Sequence, residues 1–163
     1  MKEITLTKGK IAIVDDGIYE ELKHQRWHYL SSGYACRDEN IVESEGKPVK
    51  KVLMHRLILG VKKNEIVDHI NGNKLDNRKE NLRMATLSQN SINAKKISGC
   101  VSKFKGVSYM NSGKRKARWT MRIVKDGKVV RREYHVTEIE AALAYNKAII
   151  ELFGEYAKIN KIS

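Results

Sequence analysis

Four side chains in the middle of the chain, Asp68, His69, Asn81 and Asn90, have the types and spacing to hydrolyse a phosphodiester. That reaction needs a base that takes a proton from water near pH 7, and a neutral imidazole is suited to it. His69 is the candidate base. Its ring must be held in one tautomer and one orientation, and an amide such as that of Asn81 can accept a hydrogen bond from it. The phosphate and the leaving oxygen need charge stabilisation, which a hard divalent cation gives through oxygen ligands. The Asp68 carboxylate and the Asn90 side-chain oxygen are the candidate ligands. An Asp-His pair alone, or turns such as Asn71-Gly72-Asn73 and Asp76-Asn77-Arg78, is common in chains without such chemistry. The combination at this spacing points to a site.

These residues need a frame. Ile66–Ile70 reads as a short strand, Asn71-Gly72-Asn73 as a turn, Asp76–Glu80 as a polar loop, and Asn81–Ala85 as a returning strand. Thr86 and Gln89 form a capping box that opens a helix to about Lys96. A strand, loop, strand and helix can bring Asp68, His69, Asn81 and Asn90 to one focus, with the helix N-terminus favouring a nearby phosphate. Before this stretch, residues 3–14 read as strand and residues 16–25 as a short helix behind Asp15-Asp16. Trp27–Tyr29 and Tyr34–Cys36 read as a strand pair, residues 38–48 as a loop holding Pro48, and Val49–Met54 as strand.

Residues 54–93, MHRLILGVKKNEIVDHINGNKLDNRKENLRMATLSQNSIN, resemble an HNH homing endonuclease of the ββα-metal fold. The pattern KGKIAIVDDGIYEELKHQRW is similar to the N-terminal segment of phage-type members. By position, the resemblance makes His69 the general base, Asn81 the residue that orients it, and Asp68 and Asn90 the metal ligands. Asn stands at the last position where the wider family often has His. An oxygen donor there implies Mg2+ or Mn2+ as cofactor rather than zinc. His24, His28 and His135 have no ligand spacing around them. His55, in the HR pair with Arg56, fits packing or a phosphate contact, and Arg56 is a candidate DNA contact.

The formal charge of +13 implies a polyanionic partner, and it is uneven. Residues 1–50 carry net −1, residues 51–97 net +6 and residues 98–163 net +8. Residues 103–132 hold 11 Lys or Arg and one acid, Asp126. Strands are expected at Lys105–Tyr109, Ala117–Lys125 and Lys128–His135, with Asp126-Gly127 as a hairpin turn. A second capping box, Thr137 with Glu140, opens a final helix that ends at Gly154. Alternation puts Arg118, Thr120 and Arg122 on one face and Trp119, Met121 and Ile123 on the other. Residues 104–160 resemble the plant APETALA/ethylene-response-factor DNA-binding domain, through FKGVSY, ARWTMRIV and TEIEAALAYNKAIIELFGEYAKIN. RREYHV departs from that pattern. The resemblance implies that the sheet reads double-stranded DNA, with Lys105, Arg115, Arg118, Trp119, Arg122 and Arg132 as candidates. For Trp119, alternation favours packing and the resemblance favours contact.

The expected fold is α+β: a β-rich N-terminal region with the ββα-metal motif (1–97, core 54–96), a link at 98–103, and a three-stranded antiparallel sheet packed on one helix (104–163). No apolar run reaches the ~20 residues of a membrane span, and the N-terminus lacks the apolar core of a signal peptide. Cys36 and Cys100 form no paired-thiolate motif, so a four-thiolate zinc site is excluded and both read as free thiols. The expectation is a monomeric, cytoplasmic DNA nuclease of a bacterial host cell, with phage origin left open and a nick as the default because each chain has one site. The competing class is a DNA-binding regulator built on an inactive nuclease fold.

Overall fold

The computed structural model describes residues 1–39, 50–94, 100–110 and 118–162. Pro48, Val49, the turn at 111–113 and Arg115 lie outside them. The fold is α+β, as expected, and the chain divides into two compact units, Met1–Ala85 and Thr86–Ser163. That division falls earlier than the link expected at 98–103.

In the first unit, β1 (Lys2–Thr5) and β2 (Ile11–Val14) pair antiparallel, so the apolar stretch of residues 3–14 is a hairpin and not one strand. Lys8 and Gly9 at its turn both adopt positive φ, which lets the chain reverse. Helix α1 (Asp16–Leu22) follows. It delivers Leu22 to the core, and the Leu22 carbonyl accepts a hydrogen bond from the buried Trp27 indole at 3.0 Å. Strands β3 (His28–Tyr29), β4 (Ala35–Glu39) and β5 (Lys50–Leu53) form a second sheet in sequence order. Strand β5 runs straight into α2 (Met54–Leu59), and Gly60 ends that helix at φ 63°, a left-handed cap. Strands β6 (Ile66–His69) and β7 (Leu82–Ala85) make the last pair, with Asp68 opposite Arg83 and His69 opposite Leu82. Ile4, Val14, Leu22, Trp27, Met54, Val67 and Leu82 share one apolar core. The N-terminal hairpin therefore packs on the same core as the strands that carry Asp68 and His69.

The second unit begins with α3 (Leu87–Asn93), capped by the expected box between Thr86 and Gln89. Ile92 is buried with Phe104, Met121, Tyr145 and Ile149, which is why this helix belongs to the second unit and not to the first. Strands β8 (Val107–Tyr109), β9 (Trp119–Lys125) and β10 (Lys128–His135) form an antiparallel sheet with β9 in the middle. Asp126 and Gly127 both have positive φ, as a tight two-residue hairpin turn requires. Helix α4 (Glu138–Phe153) covers one face of the sheet, starting from the Thr137–Glu140 capping box. Gly106 is forced by proximity as well as by its φ of 72°: a Cβ there would lie 2.1 Å from the Tyr145 ring. Among the described residues, no helix is long and apolar enough to cross a membrane.

Candidate active site and sheet surface

Strand β6 ends at His69, and the chain then folds back through residues 70–81 to β7. The polar loop between them is held from two sides. On one side, β2 grips it: the Ile13 amide donates to the Leu75 carbonyl and the Asn77 amide to the Ile13 carbonyl, both at 2.8 Å. The Lys79 amide donates to the Asp15 carboxylate at 2.7 Å. On the other side, Asp76 organises the loop from within. It is buried and accepts from the Asn71 amide at 2.8 Å and from Arg78 Nε and Nη2 at 2.8 and 2.7 Å. The Arg78 guanidinium, more than any other group, holds the Asp76 carboxyl below the usual carboxylate range.

His69 is buried, and its Nε2 lies 3.4 Å from the Asn77 side-chain oxygen, a long hydrogen bond. The Asn77 amide nitrogen donates to the Leu75 carbonyl at 3.1 Å, which turns the oxygen toward the ring. A carboxamide oxygen can only accept, so this contact places the His69 proton on Nε2 and leaves Nδ1 as the basic nitrogen. Burial lowers the pKa of His69, against the opposing pull of Asn77, Asp68 and Asp76. The ring is thus neutral near pH 7, the state a general base needs.

The expectation for Asn81 differs from what the structure places there. Its side-chain oxygen accepts from the Asn71 amide at 3.0 Å, and its nitrogen donates to the Asp76 carbonyl at 2.7 Å. Asn81 thus ties the loop to the start of β7, while Asn77 makes the ring contact expected of Asn81. Spacing alone could not separate the two. Both are asparagines in one polar loop, and only the path of that loop decides which one reaches His69.

Asp68 is buried, and Arg83 approaches it from the paired strand, with Nε and Nη2 each 2.9 Å from Oδ2. The described residues hold no group of three His, Cys, Asp or Glu side chains that could cage a metal. The Asp68 carboxylate suits a hard ion such as Mg2+, which takes one or two carboxylates and keeps several waters. Asn90 lies on α3 in the second unit and is half-buried. Cys36 is buried and Cys100 exposed, and neither is in a disulfide.

Two residues expected on the DNA surface are engaged elsewhere. The Arg56 guanidinium donates to the carbonyls of Glu65 and Lys62 at 2.6 and 2.5 Å and so braces the loop before β6. Lys105 Nζ donates to the carbonyls of Ser91, Ile92 and Ala94 at 2.8, 2.7 and 2.5 Å. These are terminal carbonyls of α3 that the helix itself leaves unpaired, and a cation is favoured there. Burial, helped by the like charge of Lys158, draws the ammonium down to about 8. Lys105 is therefore a helix clamp and not a member of the sheet surface.

The face of the sheet opposite α4 keeps the expected arginines. A register shift between Val129 and Arg131 sets Arg132 opposite Arg122. These two line a shallow groove of about 260 Å³ together with Ser108, Met110, Thr120 and Tyr134. Arg118, just before β9, is also exposed, and Arg115 lies outside the described residues. Trp119 points the other way. It is half-buried against the core under α4, its ring 5.2 Å from that of Tyr109 at 72°, so the packing favoured by alternation is what the structure adopts.

A family model described as HNH endonuclease matches residues 51–92, a span holding Asp68, His69, Asn77, Asn81 and Asn90. An uncharacterized HNH endonuclease of Acanthamoeba polyphaga mimivirus, L560, is 34% identical over 161 residues, covering 95% of this chain and 77% of that protein. The chain belongs to the HNH endonuclease family. Membership makes a nuclease its class of activity and DNA its class of substrate. No solved structure matches this HNH chain. The likeness to the mimivirus protein runs through both units, so the second unit is part of what the two share.

Proposed function

We propose that this HNH chain is a metal-dependent endonuclease that nicks double-stranded DNA and is held on its target by the sheet of the second unit. The observation that carries the reading is the buried His69, kept neutral by its burial and fixed by Asn77 inside the family motif. His69 takes a proton from the attacking water through Nδ1, while the Nε2 proton stays on the ring and is donated to Asn77 Oδ1. Asn81 keeps the loop that carries Asn77 at a fixed distance from β6. Arg83 holds the Asp68 carboxylate in place. Asp68 and Asn90 are the protein ligands of Mg2+ or Mn2+, which when bound neutralises charge on the scissile phosphate. One base per chain makes a single-strand cut by a monomer the outcome.

The second unit supplies affinity. Arg118, Arg122 and Arg132 offer cations on an open sheet face, which suits a duplex major groove. The order of three strands and one covering helix supports the resemblance to the ethylene-response-factor domain. A homing-type, phage-borne enzyme acting in the cytoplasm of a bacterial cell is the setting this combination suits.

Two variants test the division of labour by gel shift and single-turnover nicking on the same duplex. Asn77→Ala should lower nicking about tenfold or more by freeing the imidazole, at unchanged affinity. Arg122→Ala should weaken binding by about 1–3 kcal/mol if it reads a base, while nicking at saturating protein persists. Loss of both properties in both variants would contradict the separation.

A further inference from the structure

Beside His69 stands a second imidazole to which the mechanism above gives no task. His55, on α2, is 5% exposed. Its ring centroid lies 5.1 Å from that of His69, edge-on at 73°. Tyr34 closes the group from β4's approach, its ring 4.9 Å from His55 and 6.0 Å from His69. Lys74 caps Tyr34, its ammonium 4.4 Å from the ring centroid. Packing alone would be served as well by phenylalanine or leucine. Yet His55 Nδ1 is buried and has no hydrogen-bond partner among the described residues. A polar atom taken from water without a partner lowers stability, and such atoms in folded proteins call for a reason.

We propose that His55 Nδ1 holds the attacking water beside His69, making the site a two-imidazole one. The nitrogen is buried, which keeps a duplex phosphate from it, and a single water is the smallest donor that would satisfy it. In the step, the water has two protons to place. His69 takes one as the water oxygen bonds to phosphorus, and the second O–H donates to the lone pair of His55 Nδ1. The bond from phosphorus to the leaving deoxyribose oxygen breaks, and that oxygen takes a proton from solvent. His55 suits this task because burial, its main influence, holds its pKa at about 3, so the ring stays neutral and offers a lone pair.

This inference rests on the nuclease reading, and the experiment separates the two. The full chain and its His55→Phe and His55→Asn variants are compared by thermal melting, duplex affinity and single-turnover nicking. Phenylalanine keeps a ring and removes both nitrogens; asparagine keeps a polar atom near the place of Nδ1. His55→Phe should melt at or above the wild-type temperature, bind DNA as wild type does, and nick at least tenfold more slowly. His55→Asn should recover a large part of that loss. His55→Phe nicking at the wild-type rate would overturn the proposal, as would a loss of rate that follows a loss of melting temperature in both variants. A changed affinity with an unchanged rate at saturation would assign His55 to a phosphate instead and would also overturn it. A wild-type chain that fails to nick would contradict the nuclease reading, whereas a nicking wild type with an equally active His55→Phe would contradict His55 alone.

Discussion

Raising the salt from 50 to 200 mM should weaken duplex affinity by about 10³-fold. The charge of this chain lies in its last two thirds, and the stretch 103–132 carries 11 cations. Not all of them are available to DNA. Lys105 is engaged with the end of α3, and Arg131 Nε donates to Glu133 at 2.7 Å. With Arg118, Arg122 and Arg132 on the open face and Lys125 and Lys128 flanking the hairpin turn, about 5 phosphates are within the reach of such a surface. Each neutralised phosphate releases condensed counterions, so the logarithmic slope of affinity against salt should be about −5. A titration by fluorescence anisotropy gives the slope directly. A value near zero would mean that the basic face is merely solvated, and the DNA-reading role would move elsewhere in the chain.

His69→Ala should cut single-turnover nicking by about 10²-fold or more, the usual scale for loss of a general base, and leave affinity as it is. The reason for the separation is structural. The imidazole is buried at the end of β6, in the first unit, whereas the arginine surface is in the second. Asp68→Ala should be as severe, because in the proposed site it removes the carboxylate that would hold the metal. A His69→Ala protein that nicks at the wild-type rate would take the general-base role away from His69.

The parts of the sequence that could be read were those where chemistry is local. The two capping boxes, Thr86 with Gln89 and Thr137 with Glu140, each needs only four consecutive residues, and both form. Asp126-Gly127 turns the hairpin because both residues accept positive φ. The alternation of β9 placed Met121 and Ile123 inside and Arg122 outside, as its burial follows. What could not be read depends on contacts distant in sequence. The grip of β2 on the loop around Asn77 joins residues about sixty positions apart, and no period announces it. Lys105 looked like one more cation in a basic strand until the end of α3 came to lie against it. The helix after Ala85 follows the nuclease motif directly in sequence, yet Ile92 buries itself in the second core. His55 carried no spacing signal, because its relation to His69 arises from packing between α2 and β6 and not from a motif.

The most direct test of the account is conversion of supercoiled plasmid by the full chain, with Mg2+ and with EDTA in place of the metal. Relaxed circles are expected with Mg2+ or Mn2+, with no linear product in the early time course and no conversion with EDTA. Equal conversion in EDTA, or none under any condition by a chain that binds the plasmid, would contradict it.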